Sequence, residues 1–121
     1  MSKVPTLRSI VLDCPEPERL ARFYSELLDW GEPEADGDGS WVDLRGPDGV
    51  KISFQRVEGY RPPEWPGQNV PQQLHLDLTA EDLSASRERT LSLGAKLLDA
   101  SNQQFHVYAD PDGHPFCLCV P

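Results

Sequence analysis

The sequence predicts an α+β fold made of two βαβββ modules that form a curved, cup-like mixed sheet with the helices on its outer face. Three observations lead to this prediction: a repeated strand–turn–strand block, a helix pattern ahead of each copy, and a strand pattern ahead of each helix. At 121 residues the chain has the size of one domain. We therefore expect a single domain over residues 1–121, with module 1 at 7–57, a linker at 58–71 and module 2 at 72–120.

The repeated block provides the main support for the two modules. Residues 41–55 read WVDLRGPDGVKISFQ and residues 105–119 read FHVYADPDGHPFCLC, so that the two Pro-Asp-Gly turns lie 64 positions apart. Proline presets the first torsion of such a turn, and glycine accepts the positive φ that the turn needs. Each block is therefore predicted to be two strands joined by a tight turn.

In the first module, residues 7–12 (LRSIVL) predict the strand that precedes the helix. Apolar residues recur at helical spacing within residues 20–28, a stripe that packs well against a sheet. Asp13, Pro15 and Pro17 mark the start of this helix, because proline is tolerated around a first turn. A weak strand is expected at residues 31–34.

In the second module, residues 73–78 (QLHLDL) alternate as expected for a half-buried strand. Residues 79–82 resemble a capping box, and Gly94 suits the end of the helix that follows. This helix is predicted to be the shorter and more exposed of the two. A further strand is expected at residues 95–98.

Charge and composition exclude several classes of partner. The net charge is -9, and no run of lysine or arginine offers a phosphate-binding surface, so we expect no nucleic-acid partner. The apolar runs are too short to span a bilayer, and residues 1–6 lack the apolar core of a signal peptide. We expect a cytoplasmic protein without membrane contact, whose three cysteines are reduced thiols.

Three segments resemble the vicinal oxygen chelate superfamily, which includes glyoxalase I, bleomycin resistance proteins and extradiol dioxygenases. They are VLDCPEPERLARFYSELLDW, HLDLTAEDLSASRERTLSLGA and the closing DPDGHPFCL, and the resemblance covers residues 7–120. The chain most resembles the poorly characterised glyoxalase-like proteins of this length. The resemblance implies the paired-module fold, a homodimer and a small-molecule ligand in the cup.

The resemblance also implies a metal position, which this sequence reproduces poorly. Metal-dependent members use a histidine on the first strand and a glutamate on the last strand of each half. His75 matches the second histidine, but the first falls at Arg8 or Ser9, and the glutamates fall at Ser53 and Cys117. With one ligand of four present, we expect no bound metal. The alternative is a divalent-metal site with non-standard ligands, built from His75 and Cys117 with Gln55 or His106.

Further residues are expected to line the cup. Trp41 and Phe105 occupy equivalent places in the two blocks, where they face either a ligand or the core. Arg8 is a candidate to hold an anionic oxygen of the ligand. Tyr60 and Trp65 in the linker form either a lid or a dimer contact. The predicted ligand-binding residues are Arg8, Trp41, Ser53, Gln55, Tyr60, Trp65, His75, Phe105 and Cys117.

The leading functional hypothesis is a metal-independent protein that binds a small organic molecule and either sequesters it or transforms it. In the second case His75 is the predicted catalytic acid or base, since the imidazole pKa lies near neutrality. The alternative is a metal-dependent lyase, isomerase or dioxygenase that includes His75 among its ligands. A third possibility is an interaction module whose cup is filled by its own side chains. The sequence leaves open whether the modules pair within one chain or across a dimer.

Overall fold

The computed structural model describes residues 3–121, so the first two residues of the predicted domain and of the segment 1–6 lie outside it. The chain divides into two compact units, the first ending at Glu58 and the second beginning at Gly59. The first unit contains β1 (Ile10–Cys14), α1 (Pro17–Leu28), β2 (Glu34–Ala35), β3 (Trp41–Arg45), a 3-10 helix (Pro47–Gly49) and β4 (Lys51–Arg56). The second contains β5 (Leu76–Thr79), α2 (Leu83–Ser92), β6 (Lys96–Asp99), β7 (Phe105–Ala109) and β8 (Pro115–Cys119).

Each unit has a four-stranded mixed sheet with the same topology. The strand orders are β1-β4-β3-β2 and β5-β8-β7-β6. In both sheets the first strand pairs in parallel with the last, while the remaining pairs are antiparallel. The predicted α+β class and the two βαβββ modules are thus confirmed. The single domain and the cup common to both modules stay predictions.

Helix α1 forms the core of the first unit with its predicted apolar stripe. Pro17 occupies the first turn, as expected for a residue that lacks an N–H, and Asp29 ends the helix in the left-handed region at φ 54°. Leu20 and Tyr24 are fully buried. The Tyr24 ring stacks on Phe54 of β4 with a centroid distance of 5.9 Å, so the side of the sheet that carries Phe54 faces the helix.

Helix α2 is the shorter and more exposed of the two, as predicted, with 10 residues against 12 and Thr90 as its buried residue. The predicted cap is wrong in one respect: Thr79 ends β5, and Asp82 caps the helix by accepting a hydrogen bond from the Ala85 N–H at 3.1 Å. Gly94 follows the helix with φ +115°, the conformation for which glycine was expected there.

The first strand of each module lies further along the chain than predicted. Strand β1 begins at Ile10 rather than at residue 7, because its pairing with β4 starts where Ile10 meets Ile52. Likewise β5 begins at Leu76, opposite Phe116, rather than at residue 73. Alternation of residue types alone does not define a strand end, since the partner strand determines where hydrogen bonding starts.

The two Pro-Asp-Gly turns differ although their sequences match. In the first turn both Asp48 and Gly49 have positive φ, at 59° and 78°. In the second, Gly113 has φ 92°, and the Asp110 carboxylate accepts hydrogen bonds from the backbone N–H groups of Asp112 and His114 at 2.9 and 3.0 Å. The positive φ expected of the turn glycines is confirmed in both.

Within residues 3–121, neither helix has the length and apolar character that crossing a membrane requires.

Candidate functional site

Each sheet has one side that faces its helix and one side that does not, here called the open face. Residues paired across strands lie on the same side of a sheet. In the first unit Leu12, Phe54 and Val42 pair on the helix side, and Val11, Ser53 and Asp43 pair on the open face. In the second unit the helix side is defined by Tyr108, which contacts Arg87 of α2, and by its partner Phe116. The pair formed by Asp77 and Cys117 therefore lies on the second open face.

Three side chains with metal-ligand or acid–base chemistry meet on the open face of the second unit. His75 immediately precedes β5, and its Nε2 lies 3.2 Å from Oδ1 of Asp77. Cys117 of β8 is the cross-strand partner of Asp77. One donor atom from each of the three residues lies within 4.8 Å of the others. His75, Asp77 and Cys117 are called the His-Asp-Cys cluster below.

The cluster combines two accessible groups with one buried group. The His75 and Asp77 side chains are 43% and 62% exposed, whereas Cys117 is 8% exposed. Burial raises the pKa of the Cys117 thiol to about 11, aided by the charge of Asp77, by Cys119 and by a hydrogen bond to Asp77. The thiol is therefore protonated near neutral pH and a poor nucleophile there. Burial and Asp77 also raise the pKa of Cys119.

The raised pKa of Cys117 predicts a loss of stability in alkali. The Cys117 thiol has a pKa of about 11 in the folded chain, against 9.0 for an ordinary thiol, so the folded chain holds this proton more tightly than the unfolded chain does. The resulting contribution to stability is fully present below pH 9 and is lost as the pH rises from 9 to 11. We expect the stability difference between the wild type and Cys117→Ser to change by about 2 kcal/mol over this window. Urea unfolding at several pH values measures it, and a difference that is constant with pH would contradict the assignment.

The open face of the first unit carries a closed hydrogen-bond network instead. Asp43 accepts hydrogen bonds from Trp41 Nε1 at 2.9 Å and from Ser53 Oγ at 2.7 Å, and Lys51 Nζ lies 3.8 Å away. Burial alone would raise the pKa of Asp43, but these hydrogen bonds and the nearby Lys51 and Arg45 charges outweigh it and lower the pKa. The carboxylate is satisfied by its own unit, which favours a structural role for Trp41 and Ser53.

Strand pairing identifies the first-unit counterpart of His75. Ile10 is paired with Ile52 as Leu76 is paired with Phe116, and Ser9 and His75 are the residues directly before these two pairs. The counterpart is therefore Ser9 rather than Arg8. Arg8 is exposed and precedes β1 by two residues. Its predicted contact with an anionic ligand stays a prediction.

The four-ligand centre that metal-dependent members build from both halves does not fit these residues. Its positions are held by Ser9, Ser53, His75 and Cys117, and the Ser53 hydroxyl is already bonded to Asp43. Neutral hydroxyls are not usual zinc ligands. The first unit therefore supplies neither the histidine nor the glutamate of that centre.

Tyr60 and Trp65 belong to the second unit, where the segment 59–71 meets the turn before β8. The Tyr60 hydroxyl donates to the backbone carbonyl of Asp112 at 2.7 Å and lies 3.2 Å from Nε2 of His114. Trp65 precedes a cis proline in a loop that the Glu64 N–H closes on the Val70 carbonyl at 2.6 Å. The segment is ordered by these bonds, and its predicted role as a lid or a dimer contact stays a prediction.

The remaining predicted residues lie on the open faces. Gln55 pairs with Asp13 and Trp41 in the first sheet, and Phe105 pairs with Cys119 in the second. Phe105 is 39% exposed, an accessible apolar surface beside the cluster's strand β8.

A separate groove of about 720 Å³ lies at the start of α1, and none of the predicted site residues lines it. Its walls carry both signs of charge, and they include Arg19, which pairs with Glu16 at 3.3 Å. Such exposed pairs are common on protein surfaces and do not indicate a site.

Residues 9–119 match the family model described as a glyoxalase-like domain. The chain belongs to the glyoxalase-like family. A search of curated protein sequences gives no match.

Solved structures share the fold of this glyoxalase-like chain at low sequence identity. A glyoxalase-related enzyme from Fulvimarina pelagi is similar with a TM-score of 0.71 and 20% identity, covering 98% of this chain and 89% of that chain. Fosfomycin resistance protein FosX from Mesorhizobium loti has a TM-score of 0.69 and 15% identity, with coverages of 96% and 91%. A FosX mutant from Listeria monocytogenes, complexed with Mn(II) and a dihydroxypropylphosphonic acid, has a TM-score of 0.70 and 14% identity, with coverages of 96% and 90%.

Asp77 is the residue of this glyoxalase-like protein that sequence reasoning missed. The signal was present, because alternation in QLHLDL puts His75 and Asp77 on one side of an extended segment. The superfamily pattern has no ligand at the position of Asp77. The repeat aligns Cys117 with Ser53, and the cross-strand register adds that Cys117 lies opposite Asp77.

Proposed function

We propose that this glyoxalase-like protein binds a small organic molecule on the open face of its second unit, at the His-Asp-Cys cluster. The observation that carries the proposal is the meeting of His75, Asp77 and Cys117 on a face that no helix of this unit covers. The exposed imidazole can donate and accept hydrogen bonds with a ligand, the carboxylate can accept them, and the neutral thiol adds an apolar floor.

His75 is the proposed acid–base group of this site. A carboxylate only accepts hydrogen bonds, so Asp77 at 3.2 Å from Nε2 favours the proton on that nitrogen and leaves Nδ1 as the acceptor. A histidine oriented in this way by a carboxylate suits proton transfer to or from a bound molecule. A protein that only sequesters its ligand would make the same contacts without transferring a proton.

Two versions of this function differ in their use of a metal. The first, expected from the sequence, is metal-free binding or catalysis, supported by the absence of the superfamily's ligands at Ser9 and Ser53. The second is a metal-dependent lyase, isomerase or dioxygenase with non-standard ligands. It is favoured by a specific observation, the third donor that Asp77 adds to His75 and Cys117. A homodimer in the cytoplasm remains part of the proposal in both versions.

Thermal-shift screening against a library of small metabolites and antibiotics tests the binding itself. A ligand present at 100 times its dissociation constant stabilises the folded chain by about 2.7 kcal/mol. We expect the shift to disappear in His75→Gln and in Asp77→Asn. The matched control is Asp99→Asn, which removes an exposed carboxylate elsewhere in the same unit and should leave the shift intact. Binding that survives in both cluster variants would contradict the proposed site.

A further inference from the structure

We propose that His75, Asp77 and Cys117 bind one zinc ion within the second unit alone. The inference rests on the proposed site and names its metal. It differs from the superfamily's centre in that no residue of the first unit takes part and Asp77 is a ligand. Its test needs no organic ligand, so that it can fail or succeed independently of the proposed function.

The topology of the second sheet brings the three donors together. His75 and Asp77 are separated by one residue and therefore lie on the same side of the chain. Asp77 is directly opposite Cys117 in the parallel pairing of β5 with β8. Asp77 and Cys117 lie on paired strands and His75 is the residue directly before β5, so the three donors form a triangle on the open face.

The spacing of the donor atoms suits a tetrahedral ion. Zinc bonds of about 2.0–2.3 Å to nitrogen, oxygen and sulfur place neighbouring ligand atoms roughly 3.3–3.6 Å apart. His75 Nε2 and Asp77 Oδ1 are 3.2 Å apart, and all three donors lie within 4.8 Å of one another. Donor atoms as far as 4.8 Å apart would have to approach each other by about 1 Å, a displacement that side-chain rotation can supply.

The donor types select zinc over harder cations. Thiolate and imidazole are preferred ligands of zinc, whereas magnesium, calcium and manganese prefer sites made of oxygen. Three protein ligands leave one position open for water or a bound molecule, as in catalytic rather than structural zinc sites. The accessible side chains of His75 and Asp77 provide an entry path to that position.

The charges balance when the ion binds. The Cys117 S–H bond breaks, a zinc–sulfur bond forms, and the proton passes to solvent. The neutral His75 imidazole gives up its Nε2 proton and takes one up at Nδ1 through solvent, so that the Nε2 lone pair can bond the ion. The thiolate and the Asp77 carboxylate then neutralise the two positive charges of the ion. A half-buried group of net zero charge is less costly than two anions side by side, and the net charge of -9 favours the approach of a cation.

Elemental analysis of the full chain, purified without chelator and without a histidine tag, tests the proposal first. We expect one zinc per chain in the purified protein. After the zinc is removed with a chelator, the chain should again bind one zinc when zinc is added back. Cys117→Ser and Asp77→Asn should each weaken zinc binding by more than 100-fold, beyond the 10–100-fold typical for loss of a group outside the ligand set. Cys119→Ser, which removes the neighbouring thiol, is the matched control and should bind as the wild type does.

Substitution with Co²⁺ provides a readout that a structural role would not change. A cobalt–thiolate bond gives a charge-transfer absorption band, which we expect in the wild type and in Cys119→Ser but not in Cys117→Ser. Circular dichroism verifies that each variant is folded. The proposal is overturned if folded wild-type chain takes up no zinc at a stoichiometric concentration, or if the band persists in Cys117→Ser. Zinc binding supports this inference whether or not an organic ligand is found, whereas a thermal-shift screen that finds no organic ligand counts against the proposed function alone.

Discussion

Replacing Phe116 by alanine is expected to lower the free energy of unfolding by about 3–5 kcal/mol, the cost of a cavity left by a buried aromatic ring. Phe116 is fully buried in β8, and its ring stacks on Tyr108 at a centroid distance of 5.5 Å. Its neighbours are held by the sheet and by α2, so the space does not close easily. Urea unfolding followed by circular dichroism measures the loss.

Phe105→Ala is the matched control for this substitution. Phe105 lies on the adjacent strand β7, but it is 39% exposed and belongs to the open face. Because its ring already contacts solvent, the loss should be about 1 kcal/mol or less. Equal losses for the two phenylalanines would contradict the assignment of a core side and an open face to the second sheet.

Zinc is expected to stabilise the folded chain by about 2.7 kcal/mol when free zinc is 100 times its dissociation constant. The physical reason is that the His-Asp-Cys cluster exists only in the folded chain, where the pairing of β5 with β8 brings Asp77 and Cys117 together. Denaturant unfolding with and without buffered zinc measures the difference. His75→Ala should abolish it.

His106→Ala is the control for that experiment. His106 pairs with Leu118, on the helix side of the sheet, and therefore lies on the opposite side from the cluster. Whatever the stability of this variant without zinc, zinc should add the same increment as in the wild type. An increment that survives in His75→Ala, or that is lost in His106→Ala alone, would show that zinc binds elsewhere.

The fold was largely predictable from local chemistry. The turn glycines, the apolar stripe around Tyr24 and the alternation within the repeated blocks each constrain the backbone over short distances, and all appear in the structure. The first strands were placed too early because their ends depend on partners about 40 residues away, such as Ile52 for Ile10. Asp82 rather than Thr79 caps α2, because Thr79 is the last residue of β5 and pairs with Cys119 of β8.

The site was predictable only in part. Family positions led to His75 and Cys117, but the choice between Arg8 and Ser9 needed the strand register. The hydrogen bonds that Asp43 accepts depend on which side chains face each other across strands, for example Ser53 and Asp43. Such contacts follow from pairing between strands, which a single sequence does not specify.

Anomalous diffraction at the zinc absorption edge, from crystals of the chain grown with one equivalent of zinc, tests most directly whether the His-Asp-Cys cluster is a zinc site. The predicted result is one strong peak at bonding distance, about 2.0–2.3 Å, from a ring nitrogen of His75, a carboxylate oxygen of Asp77 and the sulfur of Cys117. The absence of a peak at the cluster, or a peak bonded to other side chains, would contradict it.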